Sequence, residues 1–160
     1  MELIPVLFNI RSVHNTASIF RTADGAGCKK MVLVGYTPSP YDSFGKVRVD
    51  FAKVALGAEE GFKIRQFKGA EEALRALKAE GYFLAGLELD PRAVPYGEFR
   101  EKFPDARKIA LVLGNEPKGI PEEIKNELGA IIEIPMRGRK ESLNVSVAFG
   151  IAVYELTRDI

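Results

Sequence analysis

The sequence predicts a single α/β domain, a mostly parallel sheet flanked by helices. Short apolar runs alternate along the chain with segments of helical periodicity. Most of these runs are continuous rather than alternating, the pattern of strands covered on both faces. The chain has 160 residues and no Pro/Gly/Ser linker of any length, enough for one core and short for two. Strand-helix alternation of this kind implies right-handed crossovers between neighbouring strands.

The elements follow in order. Leu3-Ile4-Pro5-Val6-Leu7 reads as a first strand, with proline near its start. Asn15 to Ala26 reads as a helix that Asn15 would cap, and Gly25-Ala26-Gly27 is its natural end. Met31 to Val34 is a second strand, rich in β-branched residues and bounded by lysines and Gly35. Thr37 to Gly45, TPSPYDSFG, is a loop by composition. A helix over Val47 to Glu59 competes with the strand-like alternation of VRVDF. Phe62 to Phe67 alternates and so predicts a half-exposed strand. Gly69 to Glu80 is a helix with Ala73, Leu74 and Leu77 on one side. Tyr82 to Leu87, Ile109 to Leu113 and Ile131 to Ile134 complete the strands. Pro121 to Leu128 would open with proline at the first helical position, and Glu122 and Glu123 favour the positive end of the helix dipole. Ser142 to Arg158 closes the chain as a helix capped by Ser142.

Composition narrows the function classes. An apolar share of 46% and a charged share of 28% are ordinary for a globular domain. A net charge of +1 means that any polyanion contact must come from a local patch. The single cysteine, Cys28, excludes an internal disulfide framework and suits a reducing compartment, so a soluble cytoplasmic protein is expected. MELIPVLFNIR is a poor signal peptide because Pro5, Asn9 and Arg11 interrupt it. No apolar run is long enough for a bilayer span, so no membrane association is expected. One histidine and one cysteine cannot build a usual zinc site, so no metal is expected. There is no GxGxxG after a strand, no GxxxxGK[ST] and no GxSxG, which removes support for dinucleotide, P-loop and serine-hydrolase chemistry.

In open α/β sheets, ligands bind where loops leave the carboxyl ends of the strands. Three such stretches stand out. In VHNTASIFRTADGAG, Arg21 follows Asn15 by six residues, about 240° around a helix. The two converge only if Asn15 sits at the helix mouth; a cap beside a solvated arginine would look the same. In LVLGNEPKGIPEE a strand runs into Gly114, Pro117 keeps Glu116 extended, and the glycines permit close backbone approach to a ligand. In MRGRKESLNVSVAFGIAVYE three cations and Ser142 introduce an uncharged helix. Leu143, Val147, Ile151 and Tyr154 share one side of it, and Val145, Ala148, Ala152 and Leu156 lie elsewhere. A helix apolar all round is buried all round, so a partner subunit is expected to cover one side.

Taken together, NIRSVHNTASIFRTADGAG, KVALGAEE, LVLGNEPKGIP and IPMRGRKESLNVSVAFGIAVYE resemble the SPOUT methyltransferases, in particular their SpoU (TrmH-like) branch. These motifs spread over nearly the whole chain. The resemblance implies a C-terminal trefoil knot, S-adenosylmethionine as cofactor, a homodimer, and methylation of a ribose 2′-hydroxyl in structured RNA, with tRNA ahead of rRNA. It assigns Arg21, Asn15, Glu116, Ser142 and Asn144 to catalysis and Leu87, Gly114, Ile134, Met136 and Leu143 to the cofactor. Arg11, Arg137, Arg139 and Lys140 would meet RNA, with Lys29 and Lys30 extending the patch across the dimer. Arg21 stands where the family's proposed base stands, yet a guanidinium is a poor proton acceptor, which favours a phosphate clamp. Glu116 would hold the architecture or orient Arg21. Ala17 replaces the glycine usual in the family, and a single methyltransferase domain without the N-terminal RNA-binding extension of some relatives is expected. The alternatives are a catalytically silent knotted module for RNA binding or dimerisation, and a base-directed methyltransferase.

Overall fold

The computed structural model describes residues 1–158. Seven strands form one sheet: β1 (Glu2–Phe8), β2 (Lys30–Val34), β3 (Lys63–Phe67), β4 (Phe83–Leu87), β5 (Val94–Pro95), β6 (Lys108–Leu113) and β7 (Ala130–Glu133). Their spatial order is β3-β2-β1-β6-β4-β7-β5, and every named pair is parallel. The chain fills one half of the sheet from β1 outward to β3 and returns to fill the other. The direction switches between β1 and β6, whose register runs from Glu2 opposite Lys108 to Leu7 opposite Leu113.

The continuous apolar runs have the expected origin. Along β6, Ile109, Leu111 and Leu113 enter one core layer while Ala110 and Val112 enter the other. Met31 and Leu33 of β2 oppose Val32 and Val34 in the same way. One layer is closed by α1 (Val13–Gly25), α2 (Val49–Ala55), α4 (Phe99–Lys102) and α6 (Val145–Thr157), the other by α3 (Ala70–Ala79) and α5 (Glu122–Lys125). Edge strand β3 is half exposed, as its alternation predicts.

Some boundaries differ from expectation. The first helix starts at Val13 and is capped by Ser12, whose Oγ accepts from the Asn15 amide at 3.1 Å. Asn15 is therefore inside the first turn, where its side chain is free for other bonds. The last helix starts at Val145 and is capped by Asn144, so Ser142 lies in the preceding loop. Pro121 is the cap of α5, which lasts a single turn, and not its first helical residue. The helix over 47–59 is broken: Leu56 and Gly57 take left-handed conformations and a 3-10 turn follows at Ala58–Gly61. Strand β5 and helix α4 carry too few periodic residues to show in the sequence.

Phe20 of α1 anchors the larger core layer. It is fully buried and meets Phe51 and Phe62 edge to face, with centroids 5.3 and 5.1 Å apart. Phe20→Ala is expected to lower the unfolding free energy by about 3–5 kcal/mol, read from urea midpoints at constant m-value.

Candidate active site

Because the strands are parallel, the loops after β1, β2, β4, β6 and β7 gather at one edge of the sheet. A carboxylate fastens two of them. Glu116, in the loop after β6, accepts from the Arg11 amide at 2.9 Å and the Ser12 amide at 3.2 Å, so it caps the turn that feeds α1. It also accepts from Asn15 Nδ2 at 3.1 Å. An ionised carboxylate only accepts, which fixes the Asn15 amide with its nitrogen toward Glu116. Asn15 Oδ1 is left facing the other way and accepts from Asn144 Nδ2 at 3.1 Å. Asn144 Oδ1 in turn accepts from the Ser146 amide at 2.9 Å, capping α6. One line of side chains thus joins the starts of α1 and α6 to the end of β6.

Burial pushes the Glu116 carboxyl up, while bonds from the Arg11 amide, the Asn15 side chain and the Ser12 amide pull it down and prevail. It titrates below the ordinary glutamate value of 4.5. Within one chain Glu116 accepts from the Arg11 and Ser12 amides and the Asn15 side chain, the architectural alternative of the two expected for it. Arg21 is exposed, outside the line, and has no hydrogen bond or ion pair among the described residues. Ala17, one turn before it, points fully into the core.

Beside this line lies a cavity of about 560 Å³ walled by the loops after β4, β6 and β7. Leu87, Gly114, Ile134, Met136 and Leu143 all line it, as do Glu116, Ser142 and Asn144. Its size is that of a small-molecule or cofactor site. The β6 loop doubles back, with Gly119 N donating to Asn115 O at 2.7 Å. A Cβ on Gly114 would lie 2.4 Å from the Gly119 carbonyl carbon, so only glycine allows this fold-back. Glu88 bridges the β4 and β6 loops, accepting from the Leu89 and Ile120 amides at 3.1 and 3.0 Å. Asp90, held well below the usual carboxylate range by Arg92, fastens the same loop to α5 through Lys125 at 3.0 Å. Ser12, Glu88 and Asn115 escaped the sequence reading, although Ser12 and Asn115 stood within quoted motifs.

Arg137, Arg139 and Lys140 stand exposed on the loop after β7 and have no ion pair among the described residues. Arg11 is exposed beside Glu116. Lys30 is not part of this group: it opens β2 at the opposite edge of the sheet and binds Glu2 at 2.7 Å. Lys29 lies next to it and faces Asp24 at 4.0 Å. No cluster of three or more His, Cys, Asp or Glu among the described residues is placed to hold a metal ion. No helix among them is long and apolar enough to cross a membrane.

The lowered carboxyl sets a pH test. A depressed folded pKa adds stability above the unfolded value, and that stability is lost as pH falls through the folded value. In the window below the ordinary glutamate value of 4.5 the wild type should lose stability that Glu116→Gln does not lose, because the variant lacks it throughout. Urea midpoints across that window decide it; parallel profiles would refute the role of the carboxylate.

Comparison with known proteins adds lineage to this geometry. The chain is 30% identical over 157 residues to the 23S rRNA (guanosine-2′-O-)-methyltransferase RlmB of Xanthomonas axonopodis pv. citri, covering 98% of this chain and 58% of that protein. Its fold matches an AdoMet-bound rRNA methyltransferase from Sinorhizobium meliloti with a TM-score of 0.86, at 30% identity over 98% of this chain and 56% of the other. It matches the A. aeolicus TrmH/SpoU tRNA modifying enzyme with a TM-score of 0.81, at 28% identity over 98% of this chain and 74% of the other. The chain spans somewhat over half the length of the curated relative and of the Sinorhizobium protein. The model of the SpoU rRNA Methylase family matches residues 2–154, nearly the full sequence, and the chain belongs to that family.

Proposed function

We propose that this chain binds S-adenosylmethionine in the 560 Å³ cavity and, as a homodimer, transfers its methyl group to a ribose 2′-hydroxyl of structured RNA. The observation that carries the reading is the Glu116–Asn15–Asn144 line set against the wall of that cavity. Family membership and the AdoMet-bound Sinorhizobium relative support it. So does the lining: Leu87, Ile134, Met136 and Leu143 suit the apolar parts of the cofactor, and Glu88 with the loop amides suits its polar groups. A C-terminal trefoil knot belongs to the same proposal. Threading of the segment after β7 would account for a cavity walled by three loops distant in sequence.

When bound, S-adenosylmethionine supplies an electrophilic methyl on a sulfonium. The chain's task is to align the hydroxyl behind that methyl, which can be worth roughly 7–11 kcal/mol. Asn15 and Asn144 hold the neighbouring loops in register, and Ser142 borders the space where the nucleotide would enter. Arg21 clamps a phosphate and stabilises the developing alkoxide, its guanidinium staying charged, and the hydroxyl proton passes to solvent water. Arg11, Arg137, Arg139 and Lys140 add sequence-independent phosphate contacts.

The surface of α6 supports the dimer. Phe149, Ala152, Val153 and Leu156 are buried, while Val147, Ile151 and Tyr154 are 51, 37 and 54% exposed and Leu143 is 37% exposed. Together they leave an apolar stripe uncovered within one chain. The stripe adjoins α1: a Cβ at Gly25 would lie 2.9 Å from the Tyr154 hydroxyl, and one at Gly150 would lie 3.5 Å from Thr22. Arg21 precedes Thr22, so a second copy packed on the stripe would bring its cavity toward the first copy's Arg21.

Transfer of labelled methyl from S-adenosylmethionine to total tRNA and to rRNA, with nucleoside mapping, tests the activity. A 2′-O-methylated nucleoside in one pool is expected; cofactor binding without label in either pool would favour the silent module, and label on a base the base-directed enzyme. In the same assay Arg21→Lys should lose about tenfold or more in turnover, since a lysine cannot replace a bidentate clamp. Ile151→Asp should convert the dimer to a monomer by light scattering and abolish transfer; a dimer of unchanged mass would place the interface elsewhere.

A further inference from the structure

The loop between β2 and α2 displays aromatic rings that the proposed methyl transfer leaves without a task. Tyr36 follows Gly35 at the end of β2 and is 60% exposed. Its hydroxyl nevertheless accepts from Asn115 Nδ2 at 2.8 Å. Asn115 is buried and sits between Gly114 and Glu116 in the cavity wall. The Tyr36 amide donates to Asn9 Oδ1 at 3.1 Å. Gly35, at φ 66°, packs against the same carboxamide, and a Cβ there would lie 1.9 Å from Asn9 Oδ1. The ring is therefore held at its backbone and at its hydroxyl, one hydrogen bond from the cavity wall, with much of its surface open to solvent.

Phe44 stands at the tip of the same loop, 88% exposed. The tip is ordered by Asp42, whose Oδ1 accepts from the Phe44 and Lys46 amides at 2.8 and 2.9 Å. A further bond runs from the Asp42 amide to Lys46 O at 2.8 Å. Lys46 is exposed without an ion pair among the described residues, and Arg11 is exposed on the adjoining loop after β1. Of the acidic groups on this segment, Asp42 is occupied by the turn and Asp50 is paired with Arg48 at 2.9 Å. Aromatic rings interleaved with cations are the composition of surfaces that bind single-stranded nucleic acid.

We propose that Tyr36 is a stacking platform for an unpaired base next to the nucleotide whose ribose enters the cavity, with Phe44 a second contact along the same strand. This rests on the RNA reading given above. A ribose hydroxyl delivered into a cavity requires its nucleotide to leave the stack, which exposes the face of a neighbouring base. A ring already fixed beside the cavity can cover that face with little further loss of side-chain freedom. The preference would be for an unpaired flanking base of any identity, because stacking does not read base edges.

The test uses the full chain and three variants: Tyr36→Phe, Tyr36→Ala and Phe44→Ala. Both Tyr36 variants lose the bond to Asn115, and only the alanine loses the ring, so their difference isolates stacking. Affinity is measured for the RNA pool that accepts the methyl label, alongside cofactor affinity by calorimetry and mass by light scattering. Tyr36→Ala is expected to bind RNA about tenfold more weakly than Tyr36→Phe, with cofactor affinity and mass as in the wild type. Phe44→Ala should weaken RNA binding severalfold without changing the melting temperature. Equal RNA affinity of Tyr36→Ala and Tyr36→Phe overturns the platform while leaving the methyltransferase reading intact. A change of mass in Tyr36→Ala assigns the ring to a protein interface and also overturns it. If Tyr36→Ala does not fold, Phe44→Ala decides alone, and wild-type RNA affinity there is a refutation. If the wild type binds no RNA, the functional reading falls and the platform with it.

Discussion

The acceptance of three donors by one carboxylate is the constraint on which the carboxyl edge of this sheet depends. Strands β1 and β6 are neighbours, but 105 residues separate Arg11 from Glu116, and nothing local sets the angle between the loops that leave them. Glu116 supplies that angle by satisfying two amides at the mouth of α1 and the side chain of Asn15 together. With the carboxylate fixed, the orientation of the Asn15 amide has one solution, and that solution presents an acceptor to Asn144. A single ionised group is thereby linked, through Asn15, to the cap of α6. The arrangement is electrostatic and local, which suits a chain whose net charge of +1 gives no long-range field.

The sheet was legible because burial on both faces leaves a direct trace. Leu111 and Val112 point to opposite core layers, so a strand in this environment reads as unbroken apolar sequence. Helix starts were read less well, for a chemical reason. Asn15 and Ser12 are both good caps, and sequence alone cannot tell that Asn15 is engaged by a carboxylate 101 residues away. The same ambiguity moved the start of α6 from Ser142 to Asn144. Val94–Pro95 and Phe99–Lys102 span about one period of their patterns, too little to repeat, and left no signal.

The candidate site divides along similar lines. The residues around the cavity were found through motifs whose glycines have a visible cause, as at Gly114, where a side chain would strike the returning backbone. Glu88 and Asn115 were missed because their work is to satisfy main-chain and side-chain partners that only the folded loops bring near. Arg21 marks the limit of what one chain can express. Phe20 and Ala23 beside it on α1 are buried, yet it is exposed, has no ion pair among the described residues and does not line the cavity.

Asn144 has a double attachment with a dynamic consequence. Helix ends open and close more readily than helix middles, and the first turn of α6 is held by the Asn144 cap. That cap is also the strut against Asn15. Fraying of one turn therefore releases the strut, and the fraction of time the site spends assembled is set by the local opening equilibrium of a single helix end. Any contact that quiets that end, from the cavity side or from the apolar stripe, acts on site geometry through the same equilibrium.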